Sequence, residues 1–132
     1  MSRTISEVAR ACYLNSHAHG FYEGNRNRNF GEVLALIHSE LSEALEEYRN
    51  GRLYREIYSN KNVGGEIQYP SYDLATDDEG NVYKPEGIPI ELADAIIRIF
   101  DFCAAVGIDI EKAIELKMAY NISRPYKHGK LI

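Results

Sequence analysis

The sequence predicts an all-α fold, a bundle of about four helices with a long insertion between the second and third. Apolar residues recur at helical spacing in four segments, and capping or stop residues flank these segments. The stretch between segments two and three lacks that spacing. With 132 residues, of which 45% are hydrophobic, the chain has the size of one globular domain, so we expect a single domain over residues 1–132.

The first predicted helix covers residues 4–18, where apolar side chains recur every three to four positions. Ser2 and Thr4 precede it as candidate caps. Residues 19–28 are rich in Gly and Asn and lack periodicity, which indicates a connection.

The second predicted helix covers residues 30–50. Asn29 is its candidate N-cap, with Glu32 as a capping-box partner, and Gly51 is its stop signal. At 100° per residue, its apolar side chains fall in one arc: Phe30, Val33, Leu34, Ile37, Leu41, Ala44, Leu45 and Tyr48. Glu40 and Glu47 fall at the edge of this arc, and Glu43 just beyond it.

The third predicted helix, residues 88–106, is the most apolar segment of the chain, with Pro89 near its first position and Gly107 as its stop. A fourth helix follows Asp109 as N-cap and ends near Ser123, before a proline.

The insertion, residues 53–87, has five tyrosines and several turn-forming sequences. Residues 72–84 predict a short β-hairpin around Gly80. An irregular connection of this length in a small domain is more often functional, or an elaborated loop, than a plain linker. A lid and an oligomer contact are the two functional roles that fit it.

Composition excludes several classes of protein. A net charge of −5 disfavours binding to a nucleic acid polymer, and charges interrupt every apolar stretch well before the roughly 20 residues that a membrane span needs. No signal sequence opens the chain, so we expect a cytoplasmic protein. Cys12 and Cys103 lie in apolar helical surroundings without metal-binding spacing, and we expect reduced thiols.

The third helix has one charged stripe, formed by Glu91, Asp94, Arg98 and Asp101. Its other faces are apolar, so we expect protein on all sides of the helix. Buried carboxylates need an ion partner or a metal, because an unpaired buried charge costs several kcal/mol. Arg98 can pair with Asp101 or Asp94, but it cannot neutralise the whole stripe.

The second helix offers another acidic pair three residues apart, Glu40 and Glu43, which lie on one side of the helix. Two such pairs on facing helices would form an oxygen cage without histidine, a ligand set that favours Mg²⁺ over zinc or iron. The alternatives are a solvated face for the second helix and a structural ion pair with Arg98 for the third.

The fourth helix becomes polar along one face toward its C-terminus, at Lys117 and Asn121, and Arg124 follows the helix. Such side chains suit phosphate oxygens. The alternative is a structural ion-pair network between Lys117 and the glutamates of the second helix.

Three motifs resemble those of the MazG-like all-α nucleotide pyrophosphohydrolases. E40-L-S-E43 resembles the family's ExxE, E91-L-A-D94 its ExxD, and K117-M-A-Y-N121-I-S-R124-P its C-terminal substrate-contacting stretch. The resemblance covers about residues 29–128, apart from the insertion. The insertion is longer than the family's usual connection, and the tryptophans that often hold the base are absent, so Phe21, Tyr22 or an insertion tyrosine would replace them.

This resemblance implies Mg²⁺-dependent hydrolysis of a nucleoside triphosphate to the monophosphate and pyrophosphate, in a homodimer or homotetramer. It implies metal ligation by Glu40, Glu43, Glu91 and Asp94. The implied catalytic residues are Glu43, favoured as the group that accepts a proton from water, and Glu40. Lys117, Asn121 and Arg124 would bind the substrate. The alternatives are hydrolysis of phosphoribosyl-ATP and a non-catalytic nucleotide-binding or helical interaction module.

Overall fold

The computed structural model describes residues 2–23, 29–60, 65–69 and 71–131. Part of the predicted connection, residues 24–28, lies outside the described residues. The chain divides into two compact units, one formed by Met1–Asn27 with Ile99–Ile132 and the other by Arg28–Arg98. Across the described ranges, every helix is too short or too polar to cross a bilayer.

Four α-helices account for most of the regular structure: α1, Ile5–Ala18; α2, Phe30–Arg49; α3, Ile88–Val106; and α4, Ile110–Ser123. A short 3₁₀ turn, Tyr126–Gly129, follows α4. All four predicted helices are present, and each boundary agrees to within one residue. The predicted all-α fold with an insertion between α2 and α3 is confirmed.

The predicted capping residues begin these helices. The Thr4 side chain accepts from the Glu7 backbone and the Glu7 side chain from the Thr4 backbone, which completes a capping box on α1. Asn29 accepts from the backbone N–H of Glu32 at the start of α2, and Asp109 from that of Lys112 at the start of α4.

In the first unit, α1 packs against α4. The Ser6 hydroxyl donates to Oε2 of Glu111, 3.2 Å away, and Tyr22 donates to the buried carboxylate of Asp101 at 2.6 Å. Tyr22 also lies edge-on to Tyr13. These contacts join the chain after α1 to the last turns of α3.

In the second unit, a two-stranded antiparallel sheet lies between α2 and α3 in the chain. Strand β1, Tyr58–Asn60, pairs with β2, Glu66–Gln68, with Tyr58 opposite Gln68. Tyr58 also forms an antiparallel bridge with Glu86, just before α3. The first strand of the insertion therefore contacts the last residues of the insertion, just before α3.

The predicted hairpin at residues 72–84 is reduced to a single bridge, Thr76 with Val82, around Gly80. Asp77 accepts from the backbone N–H groups of two residues within the turn, so the turn stabilises itself without long strands. Pro85 has no N–H to extend a ladder beyond it. The regular strands therefore form earlier in the insertion.

The buried side of α2 differs from the predicted arc. Its buried and half-buried positions follow a line spaced by three and four residues: Val33, Ile37, Glu40, Ala44 and Glu47. Two glutamates predicted at the edge therefore lie on the packed line. Five members of the predicted apolar arc are more than a third exposed: Phe30, Leu34, Leu41, Leu45 and Tyr48.

The prediction that protein surrounds α3 was wrong for the single chain. Ala95 and Cys103 are buried, but Leu92, Ile96 and Ile97 are 44–49% exposed. The acidic stripe is better covered than these apolar residues, because Glu91, Asp94 and Arg98 are half-buried and Asp101 is buried.

Candidate metal centre

Three carboxylates from two helices of the second unit converge. Glu40 on α2 and Glu91 and Asp94 on α3 each place one oxygen so that the three oxygens lie within 4.8 Å of one another. Glu91 and Asp94 are three residues apart and therefore share one side of α3. The sequence placed these residues in two distant acidic pairs, and the fold joins three of the four predicted ligands.

A glycine just before α3 sets the position of the cluster. Gly87 has a φ of +124°, and a Cβ there would lie 2.3 Å from the backbone oxygen of Glu56. The carbonyl oxygen of Gly87 accepts from the backbone N–H of Glu91, in the first turn of the helix. The close approach of two backbones therefore requires glycine and places Glu91 at the start of α3.

Glu40 is held by an arginine from the opposite helix. Its side chain is only 10% exposed, and Nε of Arg98 donates to its Oε1 at 3.0 Å. The sequence suggested Asp101 or Asp94 as the partner of Arg98, and this was wrong. The partner is on another helix because Glu40 lies on the packed line of α2, where a buried carboxylate needs a cation.

Glu91 is the most strongly perturbed acid of the cluster. Burial, reinforced by hydrogen bonding and charge repulsion from Glu43 and by the Glu40 and Asp94 carboxylates, raises its pKa to about 8. Its Oε2 is buried and has no hydrogen-bond donor among the described residues. In the ionised form, this oxygen lacks the partner that a buried carboxylate needs.

Asp94 has charges of both signs around it. Burial raises its pKa, and so do the Glu40 and Glu43 carboxylates, whereas Arg98 and Lys84 act in the opposite direction. Within the described residues, Lys84 forms no hydrogen bond and no ion pair. Two cationic side chains therefore border the acidic cluster.

The donor set fits a hard divalent cation. All three converging ligands are carboxylate oxygens, the atoms that Mg²⁺ prefers, and neither histidine nor cysteine takes part. The buried Glu91 Oε2 has no donor among the described residues, and a cation beside it would compensate its charge in the ionised form. The residues present thus fit the group that the sequence predicted.

Glu43, the fourth predicted ligand, is exposed and lies outside the group of three oxygens. It nevertheless borders Glu91, and both residues line the same cavity of about 770 Å³. Glu43 therefore lies at the open side of the cluster, where a solvent molecule or a ligand has access to it.

The cavity beside the cluster is rich in acids. It is lined by six glutamates and two cations, together with four further residues: Glu43, Glu46, Glu47, Glu56, Glu86, Glu91, Arg52, Lys84, Asn50, Gly51, Leu53 and Tyr58. The surplus of negative charge disfavours a bare anion and suits a ligand that arrives with metal ions.

Arg52, one of the two basic side chains that line the cavity, already forms ion pairs. Arg52 binds Glu66 at 2.6 Å and Glu56 at 2.9 Å, and its guanidinium carbon lies 3.4 Å from the centre of the Tyr58 ring. The Tyr58 hydroxyl donates to both oxygens of Glu47, at 2.9 and 2.8 Å. This network holds the insertion against α2 and uses the charge of Arg52.

The predicted substrate-binding residues belong to the first unit. Lys117 and Arg124 both lie near the Tyr120 ring, with the Lys117 Nζ 4.9 Å and the Arg124 Cζ 5.3 Å from its centre. Oδ1 of Asn121 is buried and has no hydrogen-bond partner among the described residues. The three side chains are thus close together in the chain, and an unused acceptor lies among them.

The remaining candidates have structural surroundings. Both cysteines are free thiols, and burial raises the pKa of each. Tyr22, a candidate for holding the base, donates to Asp101, whereas Phe21 is 60% exposed.

Sequence reasoning missed Lys84 and the network of Arg52, Tyr58 and Glu47. Lys84 lies in an aperiodic part of the insertion, where no pattern assigns a direction to a side chain. Glu47 carried a weak signal, because it follows Glu40 by seven residues and so shares its side of α2.

Comparisons of this chain with family models, with curated proteins and with solved structures find no match.

Proposed function

We propose that this protein is a Mg²⁺-dependent nucleoside triphosphate pyrophosphohydrolase of the MazG-like type. It would cleave a ribo- or deoxyribonucleoside triphosphate to the monophosphate and pyrophosphate. The observation that carries the proposal is the convergence of Glu40, Glu91 and Asp94 oxygens within 4.8 Å, with a buried Glu91 oxygen that has no donor from any residue the structure describes.

In this proposal Glu40, Glu91 and Asp94 hold Mg²⁺, and Glu43 completes the ligand set from the open side. Bound Mg²⁺ would supply electrostatic stabilisation of the phosphate oxygens and a lowered pKa for water. Glu43 is the favoured proton acceptor because it is exposed and borders Glu91, so water can reach its carboxylate. Glu40 would orient the site from its buried position.

Lys117, Asn121 and Arg124 are proposed to bind the nucleotide. The two cations near the Tyr120 ring suit phosphate oxygens. The buried Oδ1 of Asn121, which has no partner within the described ranges, suits a donor of the sugar or the base. As a consumer of nucleoside triphosphates, the protein would work in the cytoplasm.

We also propose a homodimer or homotetramer. The exposed apolar side chains of α2 and the half-exposed Leu92, Ile96 and Ile97 of α3 are the kind of surface that subunit association covers. Light scattering coupled to size-exclusion chromatography measures the mass directly, and a monomer at micromolar concentration would contradict this part of the proposal.

The test of the proposed function is product analysis. The purified protein is incubated with Mg²⁺ and a panel of canonical and modified nucleoside triphosphates, and pyrophosphate and monophosphate are quantified. We expect pyrophosphate release by the wild type and a loss of at least about 100-fold in Glu43→Gln and Asp94→Asn. Glu46→Gln, an exposed cavity glutamate, is the matched control and should retain activity.

The alternatives give different results in the same assay. Pyrophosphate release from phosphoribosyl-ATP alone would favour the related phosphoribosyl-ATP reaction. A protein that binds nucleotide with Mg²⁺ but releases no pyrophosphate from any of these substrates would be a binding module. Full activity in both Glu43→Gln and Asp94→Asn would reject the assigned residues.

A further inference from the structure

Arg98 uses only part of its guanidinium group in the structure. Its Nε donates to Glu40 at 3.0 Å, but Nη1 and Nη2 donate no hydrogen bond within the described residues. The side chain is 35% exposed, compared with 10% for its partner. An arginine that served only to neutralise a carboxylate would be expected to use its paired N–H groups, which match the two carboxylate oxygens.

The Arg98 side chain contacts the acidic cluster through Glu40. Arg98 follows Asp94 by four residues on α3, which places the two side chains on the same side of the helix. The ion pair with Glu40 fixes the guanidinium at its Nε edge. The two Nη groups at the other end therefore have a defined position and no acceptor in the part of the chain that the structure describes.

Arg52 and Lys84 are the other basic side chains that border the cluster or its cavity, and neither combines a fixed position with free donors. Arg52 is bound by Glu56 and Glu66 and covers the ring of Tyr58. Lys84 has no ion pair in the described part of the chain, but it is a single, flexible charge on an irregular segment. Of the described cations near the cluster, Arg98 alone combines a fixed position with a free pair of donors.

We propose that Arg98 is a phosphate-binding residue, whose Nη1 and Nη2 bind a phosphoryl group of a polyphosphate chain while its Nε holds Glu40. The ligand class is a metal-bound triphosphate, because tetrahedral phosphate oxygens match the paired donors and divalent cations would offset the acidic cluster. This inference takes one element from the proposed function, namely the metal ion that binds together with the phosphates. It adds a direct link between a metal ligand and the substrate.

The experiment uses inorganic tripolyphosphate, a probe without a base, and calorimetric titration in saturating Mg²⁺. Wild type, Arg98→Lys and Arg98→Gln are compared, and Arg49→Gln, an exposed arginine of α2, is the matched control. Binding of Mn²⁺ without phosphate is measured in parallel, and thermal unfolding verifies that each variant is folded. Arg98→Lys keeps the charge beside Glu40 and removes the paired donors, so it tests the proposal even where Arg98→Gln does not fold.

We expect tripolyphosphate to bind about 10-fold more weakly to Arg98→Lys and about 100-fold more weakly to Arg98→Gln, because a bidentate charged contact is lost. Mn²⁺ affinity should change less than about 3-fold in Arg98→Lys, and Arg49→Gln should match the wild type in both titrations. Wild-type affinity for tripolyphosphate in Arg98→Lys would overturn the inference. So would equal losses of Mn²⁺ and tripolyphosphate affinity, since these would indicate a structural role alone.

The outcome is independent of the pyrophosphohydrolase assay. If the wild type releases no pyrophosphate from any nucleotide but tripolyphosphate binding still depends on Arg98, the proposed reaction fails and the phosphate site stands. If the wild type releases pyrophosphate and Arg98→Lys binds tripolyphosphate normally, the reaction stands and the role of Arg98 fails.

Discussion

Nε of Arg98 on α3 donates to Oε1 of Glu40 on α2 across 3.0 Å, and the carboxylate it contacts is almost fully covered. This ion pair joins the two helices that carry the acidic pairs. It also compensates a buried carboxylate, because removal of the cation would leave that side chain without an ion partner.

Breaking this pair from one side should be costly. We expect Arg98→Met to lower the free energy of unfolding by about 2 kcal/mol, since Glu40 loses its cation while Arg98 itself is partly solvated. The double variant Glu40→Leu/Arg98→Met should recover most of this loss. Urea unfolding at pH 7 in a chelator measures both values, and a double variant less stable than Arg98→Met would contradict the expectation.

Glu91→Gln should separate metal binding from stability. The amide cannot ionise, whereas the Glu91 carboxyl must stay protonated in its crowded acidic site, so without metal we expect a melting temperature equal to or above that of the wild type. The increase in melting temperature on adding Mg²⁺ should disappear, because a ligand is lost. Glu46→Gln, in the same cavity but 61% exposed, should keep the wild-type response to Mg²⁺.

The stability of the metal-free protein should depend on pH in a defined window. Burial and the neighbouring carboxylates raise the pKa of Glu91 from 4.5 to about 8, so the folded state holds a proton that the unfolded state has released. The free energy of unfolding should therefore decrease as the pH rises from about 4.5 to 8. The raised pKa of Asp94 also makes the free energy of unfolding decrease as the pH rises.

Denaturant unfolding in a chelator at pH 5 to 8.5 measures this decrease, and Glu91→Gln should flatten it. Mg²⁺ should oppose it, because a cation replaces the proton. The acids with lowered pKa, Glu56, Glu66 and Asp77, lose their stabilising effect only at lower pH and so affect a different range. An unchanged slope in Glu91→Gln would contradict the assignment.

Gly87→Ala should disturb the start of α3. A Cβ there meets the Glu56 backbone oxygen at 2.3 Å, and a φ of +124° is unfavourable for alanine, so we expect a loss of about 3 kcal/mol. Gly80→Ala is the matched control, with a φ of +85° and no atom within 4 Å of the new Cβ, and should cost about 1 kcal/mol. Similar losses for the two variants would show that the close backbone contact is unimportant.

Tyr58→Phe should weaken the attachment of the insertion to α2. The hydroxyl donates to both oxygens of Glu47, whose side chain is 17% exposed, so its removal should cost about 1.5 kcal/mol. Tyr72→Phe, at an 84% exposed position, should be nearly neutral. Chemical denaturation measures both, and a neutral Tyr58→Phe would show that water replaces the hydroxyl.

The sequence by itself determined the four helices and their ends. Local signals carry this information: Thr4, Asn29 and Asp109 accept from nearby backbone N–H groups, and Gly51 and Gly107 adopt positive φ after α2 and α3. The acidic pairs were also visible in the sequence, because residues three apart share a side of any helix.

Only the tertiary structure decided which of those acids meet. The periodicity of α2 predicts which side of the helix is apolar, but it does not say which positions on that side pack against other elements. It therefore put Glu40 at the edge of the apolar side, whereas the fold buries this residue. The partner of Arg98, the position of Lys84 and the contact of Tyr58 with Glu47 depend on elements far apart in the chain. Helical periodicity fixes the direction of each side chain around the axis of its own helix. Long-range contacts also depend on how a second element packs against that helix.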